Sequence, residues 1–156
     1  MTVARRLSDF LESRDAEYEI VPHPRTESSM ETAEVAHVPG DLLAKAVILK
    51  DSGGLLMVVL PSDYHVDIPQ LNRHLQRELA FATEPEITEI FPDCEPGAIP
   101  PIGPAYGVPT LWDPVLGDKD VVWFEAGDHQ TLLRVRGRQF HELMAEAERA
   151  RFSEHI

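Results

Sequence analysis

The sequence predicts an α+β fold with a mixed sheet, and three observations carry that expectation. "KAVILK" and "LLMVVL" are apolar, β-branched runs joined by "DSGG", a combination that reads as a hairpin. Strand-like and helix-like segments interleave without regular βαβ alternation, which separates the chain from a doubly wound parallel sheet. The 156 residues contain no internal repeat and no flexible linker, so 1–156 reads as one domain around one core.

Taken in order, the elements start with a helix in which Val3, Leu7, Phe10 and Leu11 share a face at spacings of three and four. "EYEIVPH" is a short strand stopped by Pro22 and Pro24. Residues 28–36 favour a helix with Ser or Thr as cap, and Pro39 and Gly40 end it. The hairpin strands that follow are apolar almost throughout, which predicts a central pair buried on both faces. Residues 67–79 form the next predicted helix: Asp67 caps it, Pro69 suits the first turn, and Leu71, Leu75 and Leu79 recur every four residues. A short helix over 84–91 precedes the loop "GAIPPIGPAYG". "VPTLWD", "DVVWFEAG" and "TLLRVRG" are three further strands, and a helix over 138–150 closes the chain with Phe140, Leu143, Met144 and Ala147 as its stripe.

Composition narrows the function classes. An apolar fraction of 43% suits a packed core rather than disorder. No run approaches the ~18 apolar residues of a membrane span, and the charged start "MTVARRLSDF" lacks the apolar stretch of a secretory signal. The single cysteine, Cys94, excludes an internal disulfide and a cysteine-rich metal site, and a cytoplasmic location is expected. Fourteen basic against twenty-seven acidic residues give a net charge of −13, which repels a polyanion at long range. Any nucleic-acid contact is therefore expected to have a small footprint or a partner's help.

Several residues are candidates for chemistry. In the loop, Gly97, Gly103 and Gly107 permit positive φ, while Pro100 and Pro101 freeze the backbone between them. Such a loop is either a rigid turn or a set of fixed N–H donors aimed at a carbonyl or phosphate oxygen. Lys45 enters an apolar strand, where it either snorkels to the sheet end or stands as a fixed cation by a cavity. Lys50 abuts the hairpin turn and is expected to be solvent-exposed. His129, after a strand and a glycine, is either a hydrated loop histidine or a group that orients water, with Asp128 beside it to fix the tautomer or shape a turn. Arg134 and Arg136 project from one strand face, as a solvated edge or a small basic ridge for phosphates; Arg138 follows at the same spacing. Asp63, His65 and Asp67 have an alternating spacing that on a strand would start a metal site, although Pro61 and Pro69 bracket them and no second histidine is fixed; no metal is expected. Cys94 is read as an inert thiol, since no paired histidine accompanies it. Serine elbow, P-loop and dinucleotide fingerprint are all missing from the sequence.

In order and separation, "LLAKAVILK" with its hairpin, "GAIPPIGPAYGVPTLWD" and "FEAGDHQTLLRV" resemble the YbaK family of aminoacyl-tRNA deacylases, which includes the editing domain inserted in bacterial prolyl-tRNA synthetases. The resemblance covers about residues 25–140, and its most specific parts are Lys45 and the G-x-x-P-P-x-G loop from Gly97 to Gly103. It implies a mostly antiparallel, partly barrel-like sheet surrounded by helices, and a stand-alone hydrolase that cleaves the ester of mischarged aminoacyl-tRNA. It also implies that Lys45 sits by the terminal adenosine, that loop backbone groups around Gly97 hold the aminoacyl carbonyl, and that His129 matches a histidine found in some members. Pro100, Pro101 and Gly103 map onto the family's loop; Ile99 and Ile102 are then the expected apolar neighbours of a small aminoacyl group, and Arg134 and Arg136 are left for tRNA phosphates. No cofactor is implied. The expected partners are the tRNA acceptor end and an aminoacyl-tRNA synthetase, with neither DNA nor a membrane. Two rivals remain open from the sequence: a non-catalytic aminoacyl- or nucleotide-binding module of the same fold, and an unrelated metal enzyme built on Asp63, His65 and Asp67.

Overall fold

A computed structural model describes residues 3–156. The helices are α1 (Arg5–Ser13), α2 (Ser29–Val35), α3 (Ile68–Leu75), α4 (Glu84–Ile90) and α5 (Gly137–Leu143). The strands are β1 (Glu19–Pro22), β2 (Leu43–Asp51), β3 (Gly54–Pro61), β4 (Tyr64–Val66), β5 (Ala80–Phe81), β6 (Thr110–Trp112), β7 (Val121–Glu125), β8 (Thr131–Arg136), β9 (Glu148–Arg149) and β10 (Ser153–His155). The predicted mixed α+β architecture is what forms.

The hairpin β2–β3 pairs from Ala44 with Pro61 to Asp51 with Gly54, and Gly54 turns it at φ 121°. The main sheet runs β1-β8-β7-β2-β3-β6-β9, with β5 added to β2; a two-stranded ladder joins β10 to β4. Most pairs are antiparallel, whereas β2–β7, β3–β6 and β6–β9 run parallel. Both faces of the hairpin are covered, which explains its continuous hydrophobicity. Ala44, Ile48, Met57 and Val59 face a core shared with α1 and α5. Leu49, Leu56, Val58 and Leu60 face a second core with Leu71 of α3 and Phe152, while Leu43 joins Ala33, Val38 and Leu132 under α2.

Two predicted boundaries move. The helix over 67–79 stops at Leu75, because Gln76 adopts φ 55° and Asn72 Oδ1 takes the N–H of Leu79, which turns the chain into β5. The last helix stops at Leu143 rather than 150: Met144 is drawn into the core, and Ala150 donates to the Trp112 carbonyl alongside β9. In both cases tertiary partners outweigh helix propensity.

Candidate functional site

Alternation along β2 places Lys45 on the same face as Leu43 and Val47. Those two neighbours belong to different apolar clusters, so the lysine interrupts the face at the seam between them. Its Nζ donates to the Ser62 carbonyl at 3.3 Å, leaving two of three N–H donors uncommitted to that bond. Burial lowers its pKa from the usual lysine range, with the Asp63 carboxylate pulling the other way. Lys50 is not merely exposed; it is ion-paired with Glu86 of α4 at 2.7 Å.

The parallel register aligns Leu43 with Trp123, so Lys45 lies two residues along β2 as Glu125 lies two along β7. The turn carrying His129 follows directly from that strand end. His129 has φ 60° and is 4% exposed, and its Nε2 donates to the Pro96 carbonyl at 2.5 Å. That bond fixes the tautomer, a task the sequence reading offered to Asp128. Asp128 shapes the turn, accepting from Gln130 N at 2.9 Å and Thr131 Oγ1 at 3.1 Å.

Gly97 sits against this imidazole. It has φ 85°, and a Cβ there would lie 3.0 Å from His129 Cε1. Gly103 is needed for a different reason, since its Cβ would fall 1.7 Å from Thr110 Oγ1. Glu95 N donates to the Gly127 carbonyl at 2.7 Å, and Arg25 clamps the Glu95 carboxylate at 2.8 and 3.2 Å. Prolines at 96, 100, 101 and 104 have no N–H, and Ala98 donates to Glu95. Among the described residues, no acceptor receives the N–H of Gly97, Ile99, Ile102 or Gly103. Gly97 is the exposed member of these four.

The isoleucines depart from expectation. Ile99 is 8% exposed and Ile102 0%, both packed in the core with α1 and α5, on the sheet face opposite Lys45. They anchor the loop instead of offering a surface to a ligand, and Pro100 and Pro101 are buried with them. Cys94 supports the same anchor: its Sγ lies 3.3 Å from Tyr106 Oη, which donates to Asp93 at 3.2 Å, and burial pushes the thiol up to about 12.

The remaining candidates lie elsewhere. Arg134 is 3.9 Å from Glu19 and stacks 5.7 Å over Trp123, while Arg136 is exposed. Both line a surface depression of about 750 Å³ whose other charges, among them Lys119, Asp120 and Glu142, are of both signs. The alternating acidic stretch has structural duties. Asp67 caps α3 by accepting from Gln70 N at 3.0 Å; Asp63 pairs with His155 at 3.1 Å and His65 with Glu154 at 3.7 Å.

Sequence reasoning missed a buried polar cluster beside the His129 turn: His23, Thr26, Thr32 and Glu125. One signal was available, a glutamate closing the apolar strand "VVWFE".

A family model for the aminoacyl-tRNA editing domain matches residues 23–143, which contain every element of this site. The chain belongs to the aminoacyl-tRNA editing domain family. Solved structures agree on the fold. A candidate trans-editing enzyme for prolyl tRNA synthetase shares it with a TM-score of 0.84 at 24% identity, over 97% of this chain and 96% of that one. The hypothetical protein APE2540 gives 0.83 at 21% identity, over 96% and 100%. A candidate signal transduction protein from Marinobacter aquaeolei VT8 gives 0.76 at 22% identity, over 95% of this editing domain but 30% of the longer chain. No curated protein matches the sequence. Among the described residues, no helix is long and apolar enough to cross a membrane.

Proposed function

We propose that this editing domain is a trans-acting, cytoplasmic deacylase that hydrolyses the ester linking a small amino acid to the wrong tRNA. The observation that carries the reading is the loop of residues 97–103, whose backbone is immobilised by buried prolines and isoleucines while Gly97 is exposed and its N–H is unengaged by any described acceptor.

In this mechanism the Gly97 N–H polarises the aminoacyl carbonyl and receives its oxygen as it becomes an oxyanion. A donor already held in place needs no reorganisation at that moment. Lys45 holds the terminal adenosine or its phosphate as a charged, partly desolvated ammonium. Water attacks the carbonyl carbon, the acyl–oxygen bond breaks, and the water proton ends on the leaving ribose oxygen, with the neighbouring ribose hydroxyl as relay. His129 positions Gly97 through Nε2, which leaves Nδ1 as the ring nitrogen able to take a proton. An ester is activated enough for positioning and electrostatics to suffice without a protein nucleophile. Selectivity for a small amino acid then rests on the loop backbone around Gly97, since Ile99 and Ile102 face the core.

The net charge of −13 confines RNA contact to the acceptor end, with an aminoacyl-tRNA synthetase delivering the substrate. A panel of aminoacyl-tRNAs, with and without synthetase, tests this. Wild type and Lys50→Ala should release amino acid from at least one mischarged substrate, whereas Lys45→Ala should lose that activity. Absence of release from every substrate refutes the deacylase and favours a binding module.

A further inference from the structure

We infer that His23 and Glu125 hold one shared proton between them and that this buried pair positions the His129 turn. The second half of the inference rests on the deacylase reading, whereas the first is a property of the fold.

Hydrogen-bond accounting leads to the shared proton. His23 is 8% exposed and Glu125 6%. His23 Nδ1 lies 2.7 Å from the Pro24 carbonyl, an atom that can only accept, so Nδ1 carries a hydrogen. Nε2 lies 3.2 Å from one Glu125 oxygen and 3.4 Å from the other. An ionised carboxylate also only accepts. With Nδ1–H fixed, one further proton must lie between Nε2 and the carboxylate, because otherwise lone pairs confront one another away from water. Whichever atom carries that proton, the pair is neutral overall. Adding or removing one strands a charge in a buried site. Burial raises the Glu125 carboxyl above the usual carboxylate range; His23, Thr32 and His129 act against it.

The pair is wired to the site by its surroundings. Thr32 Oγ1 donates to Glu125 at 2.9 Å and bonds the hydroxyl of Thr26. The backbone of this same segment then reaches across: His23 N donates to the Gln130 carbonyl at 2.9 Å and Thr26 N to the His129 carbonyl at 3.4 Å. His129 holds a left-handed backbone that persists only under such restraint. Its imidazole in turn pins Pro96 and abuts Gly97. Displacing His23 therefore displaces the donor-bearing loop through His129, with no contact between the pair and substrate required.

Nitrogen-15 NMR of the histidine rings and single-turnover deacylation test the two halves separately. His23 Nδ1 should carry a hydrogen, and the Nε2 signal should be displaced from that of a bare ring nitrogen by the proton shared with Glu125. An unprotonated Nδ1, or an Nε2 signal at the position of a bare ring nitrogen, overturns the shared proton. Glu125→Ala should shift the His129 ring signals and lower kcat by about 10–100-fold with KM nearly unchanged, the mark of misplaced rather than missing groups. Glu125→Gln, whose amide can donate to Nε2 and accept from Thr32, should recover most of that kcat. Unmoved His129 signals, or an equal change in kcat and KM, overturn the positioning role. If Glu125→Ala does not fold, Thr32→Val removes the donor to Glu125 at similar volume and carries the same readouts. A wild type inert towards every aminoacyl-tRNA refutes the deacylase reading alone, since the ring signals still report the pair.

Discussion

Gly97→Ala and Gly107→Ala form a matched test of the loop. Both glycines occupy the left-handed region, at φ 85° and 66°. Either alanine incurs backbone strain of about 1–2 kcal/mol, which in a chain of this size lowers Tm by roughly 2–8 °C. Beyond that the two positions differ. At Gly107 nothing lies within 4 Å of the added Cβ, so strain is the whole effect. At Gly97 the Cβ meets His129 Cε1 at 3.0 Å, in a ring that is buried and hydrogen-bonded to Pro96. The ring must shift, weakening a bond worth about 1 kcal/mol, and the loop donor shifts with it. Loss of one oxyanion donor costs about 10²–10³ in kcat. Single-turnover deacylation with thermal melts should therefore show a Tm loss larger by roughly 2–4 °C for Gly97→Ala and a kcat loss confined to that variant. Equal kcat in the two variants would falsify the assignment of Gly97 as the carbonyl donor.

Four further outcomes follow from the same geometry. Lys45→Met should stabilise the protein by about 0.5–1 kcal/mol in urea titrations, because it removes a half-buried ammonium, while abolishing deacylation. The linkage has a definite sign: the folded pKa of Lys45 is depressed, so the wild type regains stability as pH rises towards the unfolded lysine value, and Lys45→Met should lack that rise. Cys94, with its thiol pushed up to about 12, should resist iodoacetamide at about pH 8, where a free thiol of ordinary pKa reacts, until the protein is unfolded. Asp51 and Glu86 are held to about 2 by Arg77 and Lys50 respectively, so their contribution is present above the ordinary carboxylate range and lost as pH falls from about 4 to 2. Arg77→Met should accordingly flatten the acid limb of the urea midpoint against pH. If Arg134 and Arg136 meet tRNA phosphates, each alanine variant should reduce the salt slope of tRNA binding by about 1; an unchanged slope places the 750 Å³ depression outside the RNA path.

Much of this architecture was legible because its signals are local. "DSGG" between two apolar runs specified β2 and β3, Asp67 caps the helix it was read to cap, and the expected Ser or Thr cap of α2 is Ser28. The strands β5, β9 and β10 left no comparable trace. Each is two or three residues long and exists through partners far along the chain, as Glu148 does through Leu111 and Glu154 through His65. The same distance in sequence hid half of the site. Gly97, Lys45 and His129 stood out by residue type and order, but nothing local tells that Ile102 is fully buried or that His23 meets Glu125 across 102 residues. A pairing of that kind is fixed by which strands become neighbours, and the β1–β8–β7 order is itself a tertiary outcome.

The topology also accounts for how one loop and one lysine from opposite sides of the sheet would serve the common site proposed above. Ile99 and Ile102 are seated on the face shared with α1 and α5, and Lys45 stands on the other, between the clusters under α2 and α3. Side chains on opposite faces of a strand cannot meet through it. They can meet at its end, and the parallel β2–β7 pair brings Lys45 level with Glu125 just before the chain turns through Gly127 and His129. Gly127 permits that turn at φ 121°, and Glu95 ties the loop to its carbonyl. The donor loop is thus fastened to the strand end, not to the lysine. Damage on one side should then leave the other intact. Ile102→Ala, a cavity beneath the loop, should cost about 2–5 kcal/mol of stability and lower kcat, yet leave the ammonium proposed to anchor the acceptor end in place and KM near its wild-type value. A rise in KM matching the fall in kcat would mean that the loop and Lys45 move as one unit, and the strand-end geometry would no longer explain the site.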